Sequence, residues 1–280
     1  MNQPTASNTP TATPVVASAT GEETSAHQLG HPVLDVVGCS VRYGGVYANT
    51  DVDLSVHKGQ LVGLIGPNGA GKSTCIDAIS GFVALDSGSV RLLDERVDGL
   101  SAPDRARRGL SRTFQSLDLF EDLSVADNLS VATTASPWRS LFTDALRPLR
   151  RQRADPGVYE TLERCGISDL ADRRPSELSH GQRNLVALSR ALAGNPEVVL
   201  LDEPAAGLDS QESETLGHLL ASLADDGLGI LLVDHDMSLV MRVCHRLSVL
   251  DFGRVISTGT PDKVRADDAV REAYLGAPGD

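Results

Sequence analysis

Hydrophobic and polar positions follow two different rhythms along this chain. From residue 33 they alternate, first in VLDVVGCSVRYGG and then in VYANTDVDLSVHKGQ, with Gly44-Gly45 and Lys58-Gly59 as turns. Such alternation predicts antiparallel strands with one buried face. At 61–74 the character changes: in LVGLIGPNGAGKST, the apolar residues Leu61, Val62, Leu64 and Ile65 read as a buried strand, glycines break it into a loop, and KST opens a helix. A short strand is predicted at 89–93 after a turn at 86–88, a short helix at 103–109, and a strand at 111–115 that runs out into a loop. From 125 to 193 the period is helical and loop-rich, with a polar stretch at 136–155 that reads as an insertion. Two further buried strands follow, EVVLLDEP at 197–204 and GLGILLVDHD at 227–236. The helix between them, at about 210–224, has the length of a parallel crossover. A hairpin over 247–251 and 254–257, hinged on Gly253, and a final helix at 261–275 complete the pattern, with no internal repeat.

Composition narrows this picture. A chain of 280 residues can form one large α/β domain or two small ones. Its net charge of −13 argues against a nucleic-acid partner, because such proteins carry basic surfaces. No run approaches the roughly 20 apolar residues that cross a bilayer. The first 30 residues lack Lys and Arg and are rich in Thr, Ser, Ala and Pro, so residues 1–31 read as a disordered tail rather than a targeting signal, ahead of a domain at 32–280. Cys39, Cys75, Cys165 and Cys244 are scattered, with no CxxC pair, and read as reduced fillers of a cytoplasmic core.

Two motifs carry chemistry. In GPNGAGKST, Gly66, Gly69 and Gly71 let the backbone wrap around an anion, with Pro67, Asn68, Ala70 and Thr74 completing the loop. Successive N–H groups and the positive end of the helix face the phosphates, Lys72 reaches the terminal ones and Ser73 can hold Mg²⁺. In VVLLDEP a buried strand delivers Asp202 toward Mg²⁺, a hard cation that takes oxygen ligands, and places Glu203 to orient or deprotonate a water. Together they predict hydrolysis of a nucleoside triphosphate rather than binding alone.

A third motif discriminates. LSHGQ places Ser179, His180, Gly181 and Gln182 at the start of the helical run RNLVALSRALA, where exposed N–H groups make a second anion site with no lysine of its own. Alone it would read as an ordinary serine N-cap.

GPNGAGKST, Gln115, LSHGQ, LLDEP, Asp209 in GLDS and His235 in VDHD stand in the order and approximate spacing of ATP-binding cassette ATPases, and the resemblance covers about residues 33–276. It implies a P-loop α/β ATPase with an antiparallel β subdomain and an α-helical signature subdomain at about 116–194. It also implies a dimer that sandwiches two ATP molecules, each P-loop facing the partner's signature helix. Carried over residue by residue, Tyr43 resembles the aromatic that stacks on adenine, Gln115 the lid glutamine that senses Mg²⁺ and the transport partner, Asp209 the residue that communicates across the dimer, and His235 the γ-phosphate histidine. Taken singly, these residues are a strand aromatic, a loop residue, a helix N-cap and a polar core residue.

The flanks, among them RTFQSLDLFEDLSVADNLSVA, DEPAAGLDS and TPDKVRADDAVREAYLG, are similar to the ATPases of branched-chain amino acid importers, the LivG-like type. That resemblance implies a peripheral subunit on the cytoplasmic face of the membrane. Its partners would be transmembrane permease subunits, a second cassette that is LivF-like or a copy of this chain, and indirectly a solute-binding protein. ATPases for urea, amides or lipids, and soluble regulatory cassettes, are the competing readings. Asp234 stands where this type more usually has Glu, which bears on the setting of His235. The basic cluster Arg147, Arg150, Arg151 and Arg153 reads as a solvated face of the insertion, with acidic lipid or a permease loop as the alternative.

Overall fold

In the computed structural model, residues 31–114, 117–133 and 156–275 are described. The expected tail up to residue 30, Gln115, the insertion with its four arginines and the last five residues lie outside that set. β1 (Pro32–Tyr43) and β2 (Val46–His57) form the expected hairpin about Gly44-Gly45. With β4 (Ser87–Leu92) and β5 (Glu95–Arg96) they make an antiparallel sheet in the order β2-β1-β4-β5. A second, six-stranded sheet runs in the order β10-β9-β3-β8-β7-β6, with β3 (Leu61–Ile65), β6 (Leu110–Arg112), β7 (Val198–Asp202), β8 (Gly229–Val233) and β9 (Arg246–Asp251) parallel. β10 (Arg254–Gly259) returns antiparallel to β9 at one edge.

Helix α1 (Lys72–Ser80) follows β3 and α2 (Ala102–Arg107) precedes β6. The helical stretch contains α3 (Val125–Thr133), α4 (Pro156–Arg164) and α5 (His180–Leu192), and α6 (Ser210–Asp225) is the crossover from β7 to β8. Helix α7 (Met237–Val243) follows β8. The expected last helix is two, α8 (Pro261–Ala266) and α9 (Asp268–Leu275). They part at Asp267, whose backbone leaves the helical region (ψ 124°) and whose carboxylate accepts from Ser257 Oγ (2.6 Å) and the Ala269 N–H (3.0 Å). The strand expected at 89–93 also ends early. Leu93 and Asp94, with φ of 50° and 65°, form the two-residue turn into β5, so Leu93 is half exposed.

β3, β7 and β8 are buried along their whole length, and their alternation sorts the core. Val62, Leu64, Val198, Leu200, Leu231 and Val233 pack with the antiparallel sheet and with Ile76 and Ile79 of α1. Leu61, Ile65, Val199, Leu201, Ile230 and Leu232 pack with the helical stretch through Leu129, Leu162 and Val186 and with Leu220 of α6. All four cysteines are buried and free. No helix among the described residues is long and apolar enough to cross a membrane.

The far end of α1 is held by a residue that sequence reasoning passed over. Arg105 is 2% exposed, and its guanidinium donates to the carbonyls of Ala78 (2.7 Å), Ile79 (2.6 Å), Asp98 (2.9 Å) and Leu100 (3.1 Å). A cation thus meets the carbonyl end of the helix that begins with Lys72, where the helix dipole favours it.

Candidate nucleotide site

The loop after β3 turns because three glycines take backbone conformations that suit no side chain. At Gly66 (φ 152°) a Cβ would stand 2.0 Å from the Leu250 carbonyl oxygen, and at Gly71 (φ 100°) 2.3 Å from that of Ala48. Gly71 caps α1 with no side chain, and the first intrahelical bond is Cys75 N–H to the Gly71 carbonyl at 2.9 Å. The amides of Lys72, Ser73 and Thr74 therefore have no helix carbonyl to meet, which is the arrangement that accepts a phosphate. Lys72 Nζ donates to the carbonyls of Gly66 (2.6 Å) and Pro67 (2.9 Å). Burial lowers the Lys72 pKa, while Glu203 and Asp202 act against that shift. The lysine thus shares a field with both acids of the β7 end.

Asp202 ends β7 at 5% exposure, and burial raises its carboxyl pKa against the opposing pull of Arg112. Oδ2 accepts from Arg112 Nη2 at 3.0 Å, while Oδ1 is buried with no hydrogen-bond partner. Glu203, the next residue, has a left-handed backbone (φ 50°), and its N–H donates to the Val233 carbonyl at 2.7 Å. The turn at Glu203 carries the side chain out of the strand line, to 33% exposure. His235 lies just beyond the end of the neighbouring β8, with Nδ1 3.9 Å from Glu203 Oε2 and 3.7 Å from Asp234 Oδ1. Lys72, Asp202, Glu203 and His235 are thus gathered at the carboxyl ends of three adjacent parallel strands, where ligands of open α/β sheets bind.

The LSHGQ residues make contacts of another kind. Ser179 caps α5: its hydroxyl accepts from the Gln182 N–H (3.2 Å), and Gln182 Oε1 accepts from the Ser179 N–H (3.0 Å). The His180 ring lies 3.0 Å from the Ala206 carbonyl, and Gly181 packs so closely on α6 that a Cβ would stand 2.4 Å from Glu212 Oε1. Asp209 caps α6 by accepting from the Gln211 (2.8 Å) and Glu212 (2.9 Å) amides. The serine cap and the aspartate cap are both present, so these residues hold the 205–209 loop between two helices. Tyr43 ends β1 with half its surface exposed, and the neighbouring exposed Tyr47 lies under Arg42, 5.8 Å from guanidinium carbon to ring centroid.

A family model described as "ABC transporter" matches residues 49–206, and one described as "Branched-chain amino acid ATP-binding cassette transporter" matches 254–280. The chain belongs to the ABC transporter family. As a member of that family it is the ATP-hydrolysing subunit of a transporter and works with transmembrane permease components. The cassette is 37% identical over 253 residues to the high-affinity branched-chain amino acid transport ATP-binding protein LivG of Escherichia coli (strain K12), covering 89% of this chain and 99% of that one. It is also 37% identical over 234 residues to the lipopolysaccharide export system ATP-binding protein LptB of the same strain, covering 84% and 93%. Among solved structures it is similar to the ADP conformation of MJ1267, an ATP-binding cassette of an ABC transporter, with a TM-score of 0.77, 30% identity, and coverage of 88% of this chain and 100% of that one.

Three further residues of the cassette shape the site and escaped sequence reasoning or were underweighted by it. Asn49 is buried and donates through Nδ2 to the Gly71 carbonyl at 3.2 Å, tying β2 to the loop. Asp234 is buried and accepts from the Ala205 N–H (3.0 Å) and the Asp236 N–H (2.9 Å), so the shorter acid bridges the strand ends beside His235. Arg112 pairs with Asp202, and only its neighbour Gln115 drew attention in the sequence. A lone polar residue in an alternating strand gives no signal that its partners lie on other elements.

Mg²⁺ fits this site. The orphaned Asp202 Oδ1 and the Ser73 hydroxyl are hard oxygen donors, and Mg²⁺ is commonly held by one or two carboxylates together with substrate phosphates. No group of three or more His, Cys, Asp or Glu that could hold a metal alone occurs among the described residues, so the nucleotide's phosphates would complete the ligand set.

Proposed function

We propose that the cassette hydrolyses ATP at the cytoplasmic face of the membrane to drive uptake of branched-chain or related amino acids. The observation that carries the solute class is the match of residues 254–280 to the branched-chain transporter model, joined to the similarity to LivG over nearly the whole chain. The similarity to LptB favours a second reading, in which the cargo is a lipid.

In this reading Tyr43 stacks on adenine, and the loop 66–74 receives the phosphates through its unpaired amides, those of Lys72, Ser73 and Thr74 among them. Lys72 exchanges the Gly66 and Pro67 carbonyls for the terminal phosphates. Ser73, Asp202 and Gln115 would hold Mg²⁺, which would supply positive charge against that of the phosphates. Glu203 orients the attacking water and accepts its proton, and His235 contacts the γ-phosphate. Ser179, His180, Gly181 and Gln182 serve the ATP of a partner cassette, either LivF-like or a second copy of this chain, and Asp209 links the two sites. Residues 116–194 act as the helical subdomain of a cassette spanning 32–280.

A groove of about 500 Å³ is lined by half-exposed Phe114, Phe120 and Val131 together with Leu117, Ala191 and Pro196, beside the edge strand β6. Apolar side chains gathered at an edge mark an interaction surface, and here the partner is a cytoplasmic segment of the permease. The test is co-purification from membranes, followed by reconstitution into vesicles with the solute-binding protein. ATP-dependent accumulation of labelled leucine, isoleucine or valine is the expected result. Movement of lipid without uptake of any amino acid would overturn the solute class.

A further inference from the structure

The Arg112 guanidinium joins three elements at once. Nη1 donates to Asp77 Oδ1 (2.6 Å) and Ser80 Oγ (3.0 Å) on α1, Nη2 donates to Asp202 Oδ2 (3.0 Å) at the end of β7, and the backbone of Arg112 ends β6. Two aromatic rings flank it, with the guanidinium carbon 5.7 Å from the Phe82 centroid and 5.0 Å from that of Phe114. These rings pack edge to face at 5.5 Å, and the arginine side chain is 10% exposed. A planar fork of donors can serve acids on two elements together, which an ammonium cannot do in the same geometry.

The consequence falls on Asp202. One carboxylate oxygen is fixed by the arginine, so the carboxylate cannot rotate freely, and the other is left buried and unpartnered. Groups that hydrogen-bond a ligating carboxylate set its orientation, and their loss commonly costs about 10- to 100-fold in metal affinity. We propose that Arg112 is a positioning residue that holds the Asp202 carboxylate between α1 and β7 with Oδ1 presented to the metal of a bound nucleotide. This inference rests on the reading of Asp202 given above. Arg112 itself contacts neither nucleotide nor metal in this role, and Asp77 and Ser80 act only as its anchors.

The test uses the full chain, with Mn²⁺ as the probe and saturating ADP, free Mn²⁺ being followed by its paramagnetic resonance signal. Arg112→Gln weakens Mn²⁺ binding about tenfold or more, while ADP affinity in EDTA stays within about twofold; Arg112→Lys lies between wild type and Arg112→Gln. Asp77→Ala removes the charged one of the two α1 anchors, leaving the Ser80 hydroxyl, and weakens Mn²⁺ binding about threefold or more, which decides the matter if Arg112→Gln does not fold. Wild-type Mn²⁺ affinity in a folded Arg112→Gln chain, or an equal loss of ADP affinity with and without metal, overturns the proposal. Asp202→Asn separates the two levels: if it too binds Mn²⁺ like wild type, the reading of Asp202 fails, whereas if it weakens Mn²⁺ and Arg112→Gln does not, only the positioning role fails.

Discussion

His235 Nδ1 stands 3.9 Å from Glu203 Oε2, across the ends of the adjacent parallel strands β8 and β7. The glutamate leaves its strand through a left-handed turn, and the histidine is 68% exposed. Buried Asp234 stitches the two strand ends together through the Ala205 and Asp236 amides. Open to solvent beside the acid, the histidine has no part in the core, and the proposed function assigns it to the bound phosphate. His235→Ala should lower kcat about 10- to 100-fold with the KM for ATP within about threefold, and leave the melting temperature unchanged. Steady-state kinetics beside a thermal melt check both halves.

Arg105 gives a prediction of the opposite kind, in stability alone. Arg105→Met keeps much of the buried volume but takes a charged donor from four carbonyls, two of them at the end of α1, where the Ala78 carbonyl keeps only the Gly81 N–H. The loss should be about 3 kcal/mol in denaturant unfolding, since buried acceptors lose a charge-assisted bond. Under conditions where the variant is folded, nucleotide affinity should remain near that of wild type.

Ser179 should separate a structural from a catalytic role. Removing the N-cap hydroxyl with Ser179→Ala should cost about 1 kcal/mol of stability. If the hydroxyl also serves a partner's ATP, turnover in the assembled transporter should fall about tenfold or more at a temperature where the variant is fully folded. Equal turnover would leave Ser179 with its capping role only.

The cysteines predict a pH dependence. Burial pushes the Cys75 thiol up to about 12 and the Cys39 thiol up to about 11, from an ordinary value near 9, and raises those of Cys165 and Cys244 as well. The unfolded chain therefore loses these protons first, so their contribution to stability is complete below about pH 9 and declines as pH rises beyond it. Denaturant midpoints at a series of pH values from 8 to 11 should fall accordingly. At pH 8, Ellman's reagent should react with the thiols only after unfolding.

The order of elements was legible because the buried strands at 61–65, 198–202 and 229–233 are apolar runs bounded at their carboxyl ends by Gly66, Asp202 and Asp234. The loop, the acidic pair and the serine cap were legible because their residues are neighbours in sequence. What stayed hidden depends on contacts distant along the chain. Arg112 meets Asp202 90 positions away and Asp77 35 positions away, and Arg105 reaches back 27 positions to Ala78. The break at Asp267 was invisible for the same reason, because Ser257, on another element, supplies the hydroxyl that fixes its carboxylate. Leu93 misled in the other direction. An apolar residue after an alternating run looks like strand, but the turn to β5 needs two left-handed residues, and Leu93 is one of them.

The central claim is that nucleotide bound at Lys72 is cleaved through Glu203, and it is tested most directly on the nucleotide itself. The chain is photolabelled with α-³²P-labelled 8-azido-ATP in the complex co-purified from membranes, so that only nucleotide at this chain's own site is read. The account predicts that the wild-type chain carries mostly ADP, and that Glu203→Gln carries an equal amount of label, almost all of it still triphosphate. The same proportion of ADP on both chains would contradict it.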